Sequence, residues 1–437
     1  MFHAMKQFIP RWIQRRLEKA LGVMPVVVVT GARQSGKSTL VRHVDPRRSY
    51  FSLDDLDVLD QARRDPDSLL KDPPLTLDEV QRAPELLLAI KRRVDTERIP
   101  GAYLLTGSAQ FGLMRNVSDS LAGRAIYLDL GPFCPLEWEG VAHGESLLDE
   151  LFLEKLNPDS RWLLQDGHGD WMDWLLSGGF APALDIPETE GRAIWFSGYV
   201  QTYLERDLRE LSEVASLPDF QRLMRIAAQR TARLLNQAEI ARDAGLAHAT
   251  CHRYLNLLET GCQIERVQPY TADPTTALVK SPKLFWSDSG LAAWLAGIHD
   301  RSGLIQRADL GFWLEQAIAQ TILAWQRIDP VRRRVSYWRT RGGDEVDFVL
   351  EEDQNCLGIE IKAGRRIGLH DIRGLRRFVE AGRARGISVR GVALYGGSEA
   401  RPLGDSLSAL PYAALFPAPS KGKRADAGNT AEFQPIT

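Results

Sequence analysis

Apolar and polar positions fall in two periodicities along the chain, and the switch between them marks out its units. Val26-Val27-Val28-Val29 is a short, β-branched, wholly apolar run, the pattern of a strand buried on both faces. Ser49–Leu53, Pro74–Glu79, Ala102–Thr106 and Ala125–Leu130 read as further strands. Helical spacing fills the intervals at Thr39–Val44, onward to about Leu70, and at Glu85–Val94. Strands alternating with helices predict a parallel sheet with its ligand at the strand ends. Arg11–Leu21 reads as a basic amphipathic helix packed on that unit.

Beyond Pro132–Glu139 the pattern becomes helical and Trp-rich to about Asp185, followed by a longer helix over Ile194–Leu211. Phe220–Tyr270 predicts a helix capped by Asn236, a break at Gly245 and a second helix over Ala247–Glu259. With strands at Gln263–Val267 and Lys283–Trp286, this is the order of a winged helix-turn-helix. Further on, Phe312–Trp325 is helical, and Tyr337–Thr340, Glu345–Leu350 and Leu357–Lys362 alternate as strands, the last two joined at Asp353-Gln354-Asn355. A helix over Ile372–Glu380 and a strand over Gly391–Tyr395 complete that unit. After Pro417 the chain is rich in Ser, Lys, Gly and Ala without periodicity, which predicts disorder. The expected division is 1–145, 146–215, 216–290, 291–416 and a tail over 417–437.

The first chemical motif directly follows the valine run. Gly31-Ala32-Arg33-Gln34-Ser35-Gly36-Lys37-Ser38-Thr39 fits G-x-x-x-x-G-K-[ST], the phosphate-binding loop of ATPases and GTPases. The glycines let backbone N–H groups turn toward phosphate oxygens, and the following helix N-terminus adds positive potential. Lys37 is placed to reach the β- and γ-phosphates, and Ser38 to put its hydroxyl on Mg²⁺. Pro74-Leu75-Thr76-Leu77-Asp78-Glu79 has the shape of a Walker B strand, with Asp78 expected to hold Mg²⁺ through water and Glu79 to polarise the attacking water. Thr106 and Ser108, after the strand beside it, are candidate γ-phosphate sensors, against a plain Gly-Ser turn. Arg124 is a candidate arginine finger, in cis or in trans, against an ordinary surface arginine. No N/T-K-x-D guanine signature accompanies the loop.

Gly31–Thr39, Leu77-Asp78-Glu79-Val80-Gln81, Leu105-Thr106-Gly107-Ser108 and Leu121-Ala122-Gly123-Arg124 together resemble the AAA-type ATPase domain of a large prokaryotic family of ATP-binding proteins. The resemblance implies ATP as the nucleotide and extends through Gly178-Gly179-Phe180-Ala181-Pro182 and beyond, to all but the tail. The fold class expected is therefore α/β: a P-loop NTPase sheet with an additional strand, then a helical and winged-helix segment, then a small α/β nuclease-like domain.

That last domain carries the second constellation. Period-two alternation puts Glu345 and Asp347 on one strand face, and Glu360 and Lys362 on one face of the next strand. Asp347 followed by Glu360-Ile361-Lys362 resembles the PD-(D/E)-x-K core of restriction-endonuclease-like proteins, with Val346 where that pattern has Pro. The resemblance makes Asp347, Glu360 and the helical acid Glu315 ligands for Mg²⁺ or Mn²⁺, and Lys362 the group that orients or deprotonates water. The bland alternative is a solvated face of alternating charges.

Composition narrows the reading only slightly. At 437 residues several domains are expected, and 44% hydrophobic with 26% charged residues is the balance of a soluble globular protein. A net charge of −2 argues against wholesale nucleic-acid binding but leaves local patches open. The second predicted helix of the winged-helix segment offers His248, Thr250, His252 and Arg253 as a thin basic face toward DNA. His248, Cys251 and His252 also share a helix face, a weak metal pattern. Cys134, Cys251, Cys262 and Cys356 form no C-x-x-C pair, in keeping with free thiols in a cytoplasmic protein. No apolar run has membrane-spanning length, and Met1–Lys19 has no continuous apolar core of the kind a secretory signal needs. Two functions of different class follow. One is an Mg²⁺-dependent ATPase whose nucleotide state controls a winged-helix, nuclease-like module acting on DNA. The other is a nucleotide-dependent switch that binds a protein partner, its nuclease-like scaffold inactive. A homo-oligomer is compatible with either.

Overall fold

The computed structural model describes residues 8–107, 121–142, 147–152, 169–202, 216–270 and 281–418. Its first sheet is built outward from β1 (Val26–Thr30), whose four valines are all buried. Such a run is satisfied only inside a sheet covered on both faces. β1 accordingly lies between β4 (Tyr103–Thr106) and β5 (Ala125–Asp129), with β3 (Leu75–Asp78) and then β2 (Ser49–Ser52) beyond β4. All the pairings are parallel, in the order β2-β3-β4-β1-β5. On one face α1 (Gln14–Leu21) and α2 (Lys37–Val44) bury Leu17, Ala20, Leu40 and Val41 against Val27 and Val29. On the other, α3 (Leu56–Arg64) and α4 (Leu86–Thr96) bury Leu59, Ala62, Leu87 and Ile90 against Val26, Val28, Leu77 and Leu105.

The basic N-terminal helix starts later than its pattern predicts. α1 begins at Gln14, and Arg11 lies in the turn before it, buried rather than solvated. The reason is a partner remote in sequence: Arg11 Nε and Nη2 bond both oxygens of the buried Glu137 carboxylate at 3.2 Å. Its Nη1 donates to Ser35 O at 2.8 Å and its Nη2 to Gly131 O at 2.8 Å. A single guanidinium thus ties the N-terminal segment to the phosphate-binding loop and to the chain leaving β5.

The second half is layered differently. α5 (Trp171–Ser177), α6 (Thr189–Thr202) and α7 (Leu217–Ala228) lead to α8 (Gln237–Ala244) and α9 (His248–Thr260). α6 starts before the expected Ile194 and is described to Thr202; residues 203–215 lie outside the described residues. Asn236 caps α8 by accepting from Glu239 N at 3.2 Å, and Gly245 ends it in the left-handed region. β6 (Arg233–Leu234), β7 (Ile264–Pro269) and β8 (Lys283–Trp286) form an antiparallel set in the order β6-β8-β7.

The boundary expected at 290/291 is not a break. β7 also runs parallel to β9 (Arg333–Arg339), through Gln268↔Ser336 and Pro269↔Tyr337. This joins the small sheet to β10 (Glu345–Glu352), β11 (Asn355–Lys362), β12 (Ser388–Tyr395), β13 (Arg401–Gly404) and β14 (Leu407–Pro411). The result is a nine-stranded sheet in the order β13-β14-β12-β11-β10-β9-β7-β8-β6. One hydrophobic core accompanies it, reaching from Trp12 and Ala32 to Phe416. A pairing between strands from two sequence segments leaves no mark in the local pattern of either. β13 and β14 carry no clear alternation and have no counterpart among the predicted strands.

Two helices flank this sheet. α11 (Leu310–Ile328), preceded by α10 (Ser289–Leu295), is buried over nearly its whole length, polar Glu315, Gln316, Gln320 and Thr321 included. α12 (Arg373–Arg383) covers the other side through Leu375, Phe378 and Val379. Of the predicted tail, Pro417 and Ala418 are placed, and 419–437 lie outside the described residues. Among the described residues no helix is long and apolar enough to cross a membrane.

Replacing Arg11 by Met leaves Glu137 buried without its partner and frees the loop carbonyls. The expected loss of stability is about 3–5 kcal/mol in chemical denaturation, with Glu137→Gln losing a similar amount and the double variant less than the sum.

Candidate functional site

The first site sits where β1 ends. Gly31 takes φ +145°, and a Cβ there would lie 2.2 Å from Leu130 O, so the loop closes against the end of β5 only with glycine at this position. Gln34 and Gly36 also have positive φ, and Lys37 begins α2. The loop backbone is therefore curled at the N-terminus of a helix, where anionic groups are favoured. Lys37 is buried, and its Nζ donates to Gly31 O at 3.0 Å and Ala32 O at 2.9 Å. Burial lowers its pKa below the ordinary lysine value, with the charge of Glu79 opposing. Ser35 Oγ is buried with no hydrogen-bond partner, an unspent hydroxyl on the loop. This donor set fits a bound polyphosphate.

Asp78, at the end of β3, is the hub beside the loop. Its Oδ1 accepts from Ser38 Oγ at 3.1 Å and from Thr106 Oγ1, and its Oδ2 accepts from Tyr50 OH. Ser38 and Asp78 are thus adjacent, the arrangement a shared Mg²⁺ requires. Thr106 is fully buried; its hydroxyl also accepts from Glu79 N at 3.2 Å. Its place here is to orient Asp78 and Glu79. Glu79 itself adopts the left-handed region, φ 59°, and receives Gln81 Nε2 on its carboxylate. Burial and the Asp78 hydrogen bond push the Tyr50 hydroxyl up to about 12, so it stays a donor to Asp78. Tyr50 was not legible as a site residue, because only the parallel register Tyr50↔Thr76 brings β2 beside Asp78. Ser108 lies outside the described residues.

Arg124 does not reach the loop of its own chain. Arg124 precedes β5 at the N-terminal edge of the sheet, whereas the loop leaves the C-terminal edge. Its guanidinium is instead paired with Asp95, Nε to Oδ1 at 2.5 Å and Nη2 to Oδ2 at 3.0 Å.

Residues from the second half of the chain, none of them evident from sequence, reach the loop. Tyr199 OH on α6 donates to Arg33 O at 3.5 Å, and Gln263 Nε2 donates to Tyr199 OH at 3.2 Å. Arg327, at the end of α11, packs on Gly131, bonds Asp129 Oδ2 at 3.0 Å through Nε, and pairs with Glu265 of β7. Cys262 Sγ lies 3.7 Å from the other Asp129 oxygen.

The second site is a cleft of about 310 Å³ whose lining includes Lys283, Glu315, Asp347, Glu360, Lys362 and Arg373. Alternation correctly places Glu345 with Asp347 and Glu360 near Lys362. Asp347 Oδ2 accepts from Ile361 N at 2.8 Å, just beyond the last β10–β11 ladder pair, Phe348↔Ile359. What the sequence did not reveal is Lys283 of β8. Its buried Nζ stands 2.8 Å from Glu345 Oε1, 2.9 Å from Glu315 Oε1 and 3.4 Å from Asp347 Oδ1. Lys362 Nζ is 2.6 Å from Glu360 Oε1. Among the described residues no three His, Cys, Asp or Glu side chains converge as metal ligands. In place of a shared metal, the acids expected as ligands are paired with lysines: Lys283 bonds Glu315 and Asp347, and Lys362 bonds Glu360. The weak metal pattern on α9 fares likewise, with Cys251 buried and His252 bonded to Gln237 at 3.0 Å.

Charge in this cleft is strongly coupled. Burial pulls Lys283 down, but Glu315, Asp347 and Glu345 outweigh it and hold the ammonium above the ordinary lysine value. Burial pushes Glu315 well up and, with the charge of Asp347 adding, raises Glu360 to about 8.

Residues 24–138 match the family described as AAA domain. Residues 168–302 and 310–415 each match a family described as a domain of unknown function, DUF8612 and DUF4143. The uncharacterized proteins Mb2031c of Mycobacterium bovis and Rv2008c of Mycobacterium tuberculosis are each 31% identical over 356 residues, covering 79% of this chain and 72% of theirs. Among solved structures, similarity extends to the Walker-type ATPase PABY2304 of Pyrococcus abyssi at 17% identity, 67% of this chain, 97% of that chain and a TM-score of 0.39.

Because native Glu360 holds its proton to about 8, above the ordinary glutamate value, it binds protons that the unfolded chain releases. Its contribution to stability is complete below the ordinary glutamate range and is lost as pH rises toward 8. Thermal unfolding of the wild type should therefore fall with pH through this window, and Glu360→Gln should flatten the fall.

Proposed function

The chain belongs to the family of the mycobacterial proteins Mb2031c and Rv2008c and carries an ATP-binding, AAA-type P-loop ATPase domain, and from that premise we propose that its nucleotide state controls the C-terminal half. Lys37 positions the phosphates, Glu79 orients the attacking water, and Thr106 and Tyr50 hold Asp78 in place for both. Ser38 and Asp78 are the residues that would hold Mg²⁺, whose part in such hydrolysis is to neutralise charge developing on the transferred phosphate.

The observation that carries the control is α11. Arg327 at its end is paired with Asp129 beside the loop, and Glu315 near its start is bonded to Lys283 in the second cleft. The two are about 18 Å apart along a single buried helix. A change at the loop that alters the Arg327–Asp129 pair is passed along a rigid rod.

The controlled half is proposed to be a winged helix joined to a restriction-endonuclease-like unit, acting on DNA. The order α7-β6-α8-α9-β7-β8 supports the first part. α9 exposes His248, His252 and Arg253, exposed Arg373 lines the second cleft, and exposed Arg365 and Arg366 line a separate pocket, which suits phosphate contacts. The second reading, a switch for a protein partner with a non-cutting scaffold, is favoured by one observation: Lys283 is hydrogen-bonded to the acids that cleavage would need.

ATP turnover by the purified chain should require Mg²⁺, vanish in Lys37→Ala and fall by roughly 10²-fold or more in Glu79→Gln with nucleotide binding kept. Fluorescence anisotropy with duplex and single-stranded DNA should differ between ADP and a non-hydrolysable ATP analogue, and Arg327→Gln should abolish that difference while leaving ATP binding intact. DNA affinity indifferent to nucleotide would sink the control. Absence of DNA binding in every state would give the protein-partner reading precedence.

A further inference from the structure

We propose that Lys283 is the resident cation of the C-terminal carboxylate cluster and keeps divalent metal ions out of it. The inference does not depend on the ATPase reading, because it concerns the nucleotide-free chain.

The geometry is that of a filled site. An ammonium has three donors and no acceptor, and Lys283 Nζ has three carboxylate oxygens, from Glu345, Glu315 and Asp347, at 2.8, 2.9 and 3.4 Å. These are hydrogen-bond separations, and they draw the acids in from two elements, α11 and β10, around one point. A divalent ion needs oxygen ligands at roughly 2.0–2.6 Å and would have to share that point with a like charge. Lys283 is 2% exposed, so solvent screens little of that repulsion.

The ammonium is also held from behind. Lys283 faces Val267 on β7 and Leu234 on β6, so both ladder edges of its backbone are occupied. The next turn of the chain is pinned by Gln316, which brackets Trp286: Trp286 N donates to Oε1 at 3.0 Å and Nε2 donates to Trp286 O at 2.9 Å. The backbone that carries Lys283 is thus fixed on both edges.

A second observation is an unspent acceptor within the cluster. Glu360 is buried, and its Oε2 has no hydrogen-bond partner although its Oε1 is bonded by Lys362. Without the charge on Lys283, the four acids Glu315, Glu345, Asp347 and Glu360 would keep only Lys362, on Glu360, and Arg339, 3.7 Å from Glu345, with an unspent oxygen already among them. Buried carboxylates in that state bind protons or recruit a metal. Lys283 is thus the residue that decides between a closed ionic cluster and a metal centre, and it comes from a strand outside the motif that defines the acids.

The test is a Mn²⁺ titration of the nucleotide-free full chain, with free Mn²⁺ followed by electron paramagnetic resonance and thermal unfolding recorded with and without the ion. Wild type and Asp347→Asn should be indistinguishable, since wild type holds no Mn²⁺ on Asp347. Lys283→Met should gain a site at least about tenfold tighter than any in wild type, with a matching rise in melting temperature, and Lys283→Met/Asp347→Asn should lose it. The inference is overturned if wild type binds Mn²⁺ in an Asp347-dependent way as tightly as Lys283→Met does. It is overturned equally if Lys283→Met folds and gains no site. Should Lys283→Met fail to fold, the comparison of wild type with Asp347→Asn still decides, because Asp347-dependent Mn²⁺ binding in wild type contradicts it directly. A weak Mn²⁺ site at Ser38 and Asp78 would appear in all variants alike and stays separable.

Discussion

A helix of 19 residues buried along most of its length sets the terms for the C-terminal half. α11 presents Glu315, Gln316 and Gln320 to a closely packed core, where each finds at least one partner. Glu315 takes Lys283, Gln316 takes the Trp286 backbone and the Thr231 hydroxyl, and Gln320 accepts from Trp174 Nε1 at 3.1 Å. These demands fix where β8 and α5 lie against the helix, and hence how the helical segments and the large sheet share one core. They also explain why Lys283 is inside: the helix would otherwise bury a carboxylate with no cation.

The phosphate-binding loop depends on a comparable device. Its curl leaves carbonyls facing inward, and Lys37 and Arg11 are the donors that satisfy Gly31, Ala32 and Ser35. Lys37 belongs to the motif, whereas Arg11 arrives from a segment upstream of the sheet and is neutralised by Glu137 downstream of it. The loop is therefore shaped by the whole domain. Tyr199, Gln263 and Arg327 extend that dependence to the C-terminal half, so that any movement of the loop backbone is felt at α6, β7 and α11.

The two sites use carboxylates in opposite ways. Asp78 is surrounded by hydroxyls from Ser38, Tyr50 and Thr106, neutral donors that orient the group while leaving its charge for an incoming cation. Glu315, Glu345 and Asp347 are met by an ammonium that offsets part of their charge from within the cluster. Similar acids at the ends or edges of strands thus belong to a cation-receptive site in one sheet and a closed ionic cluster in the other. The difference lies in one lysine supplied by tertiary packing.

Much was legible in the chain itself. Four successive valines require a covered central strand, and G-x-x-x-x-G-K-S directly after them can only be a turn feeding a helix N-terminus, because both signals are local in sequence. The pairing of Glu345 with Asp347 on one strand face follows equally from a period of two. Tertiary structure alone decided the rest: the placement of Arg124 at the far edge of the sheet, the Tyr50 hydroxyl on Asp78, the fusion of two predicted domains through β7 and β9, and the entry of Lys283 among the acids. Each of these depends on contacts between residues far apart along the chain. Periodicity reports which side of its own element a residue occupies, and carries no information on which other element will be packed against it.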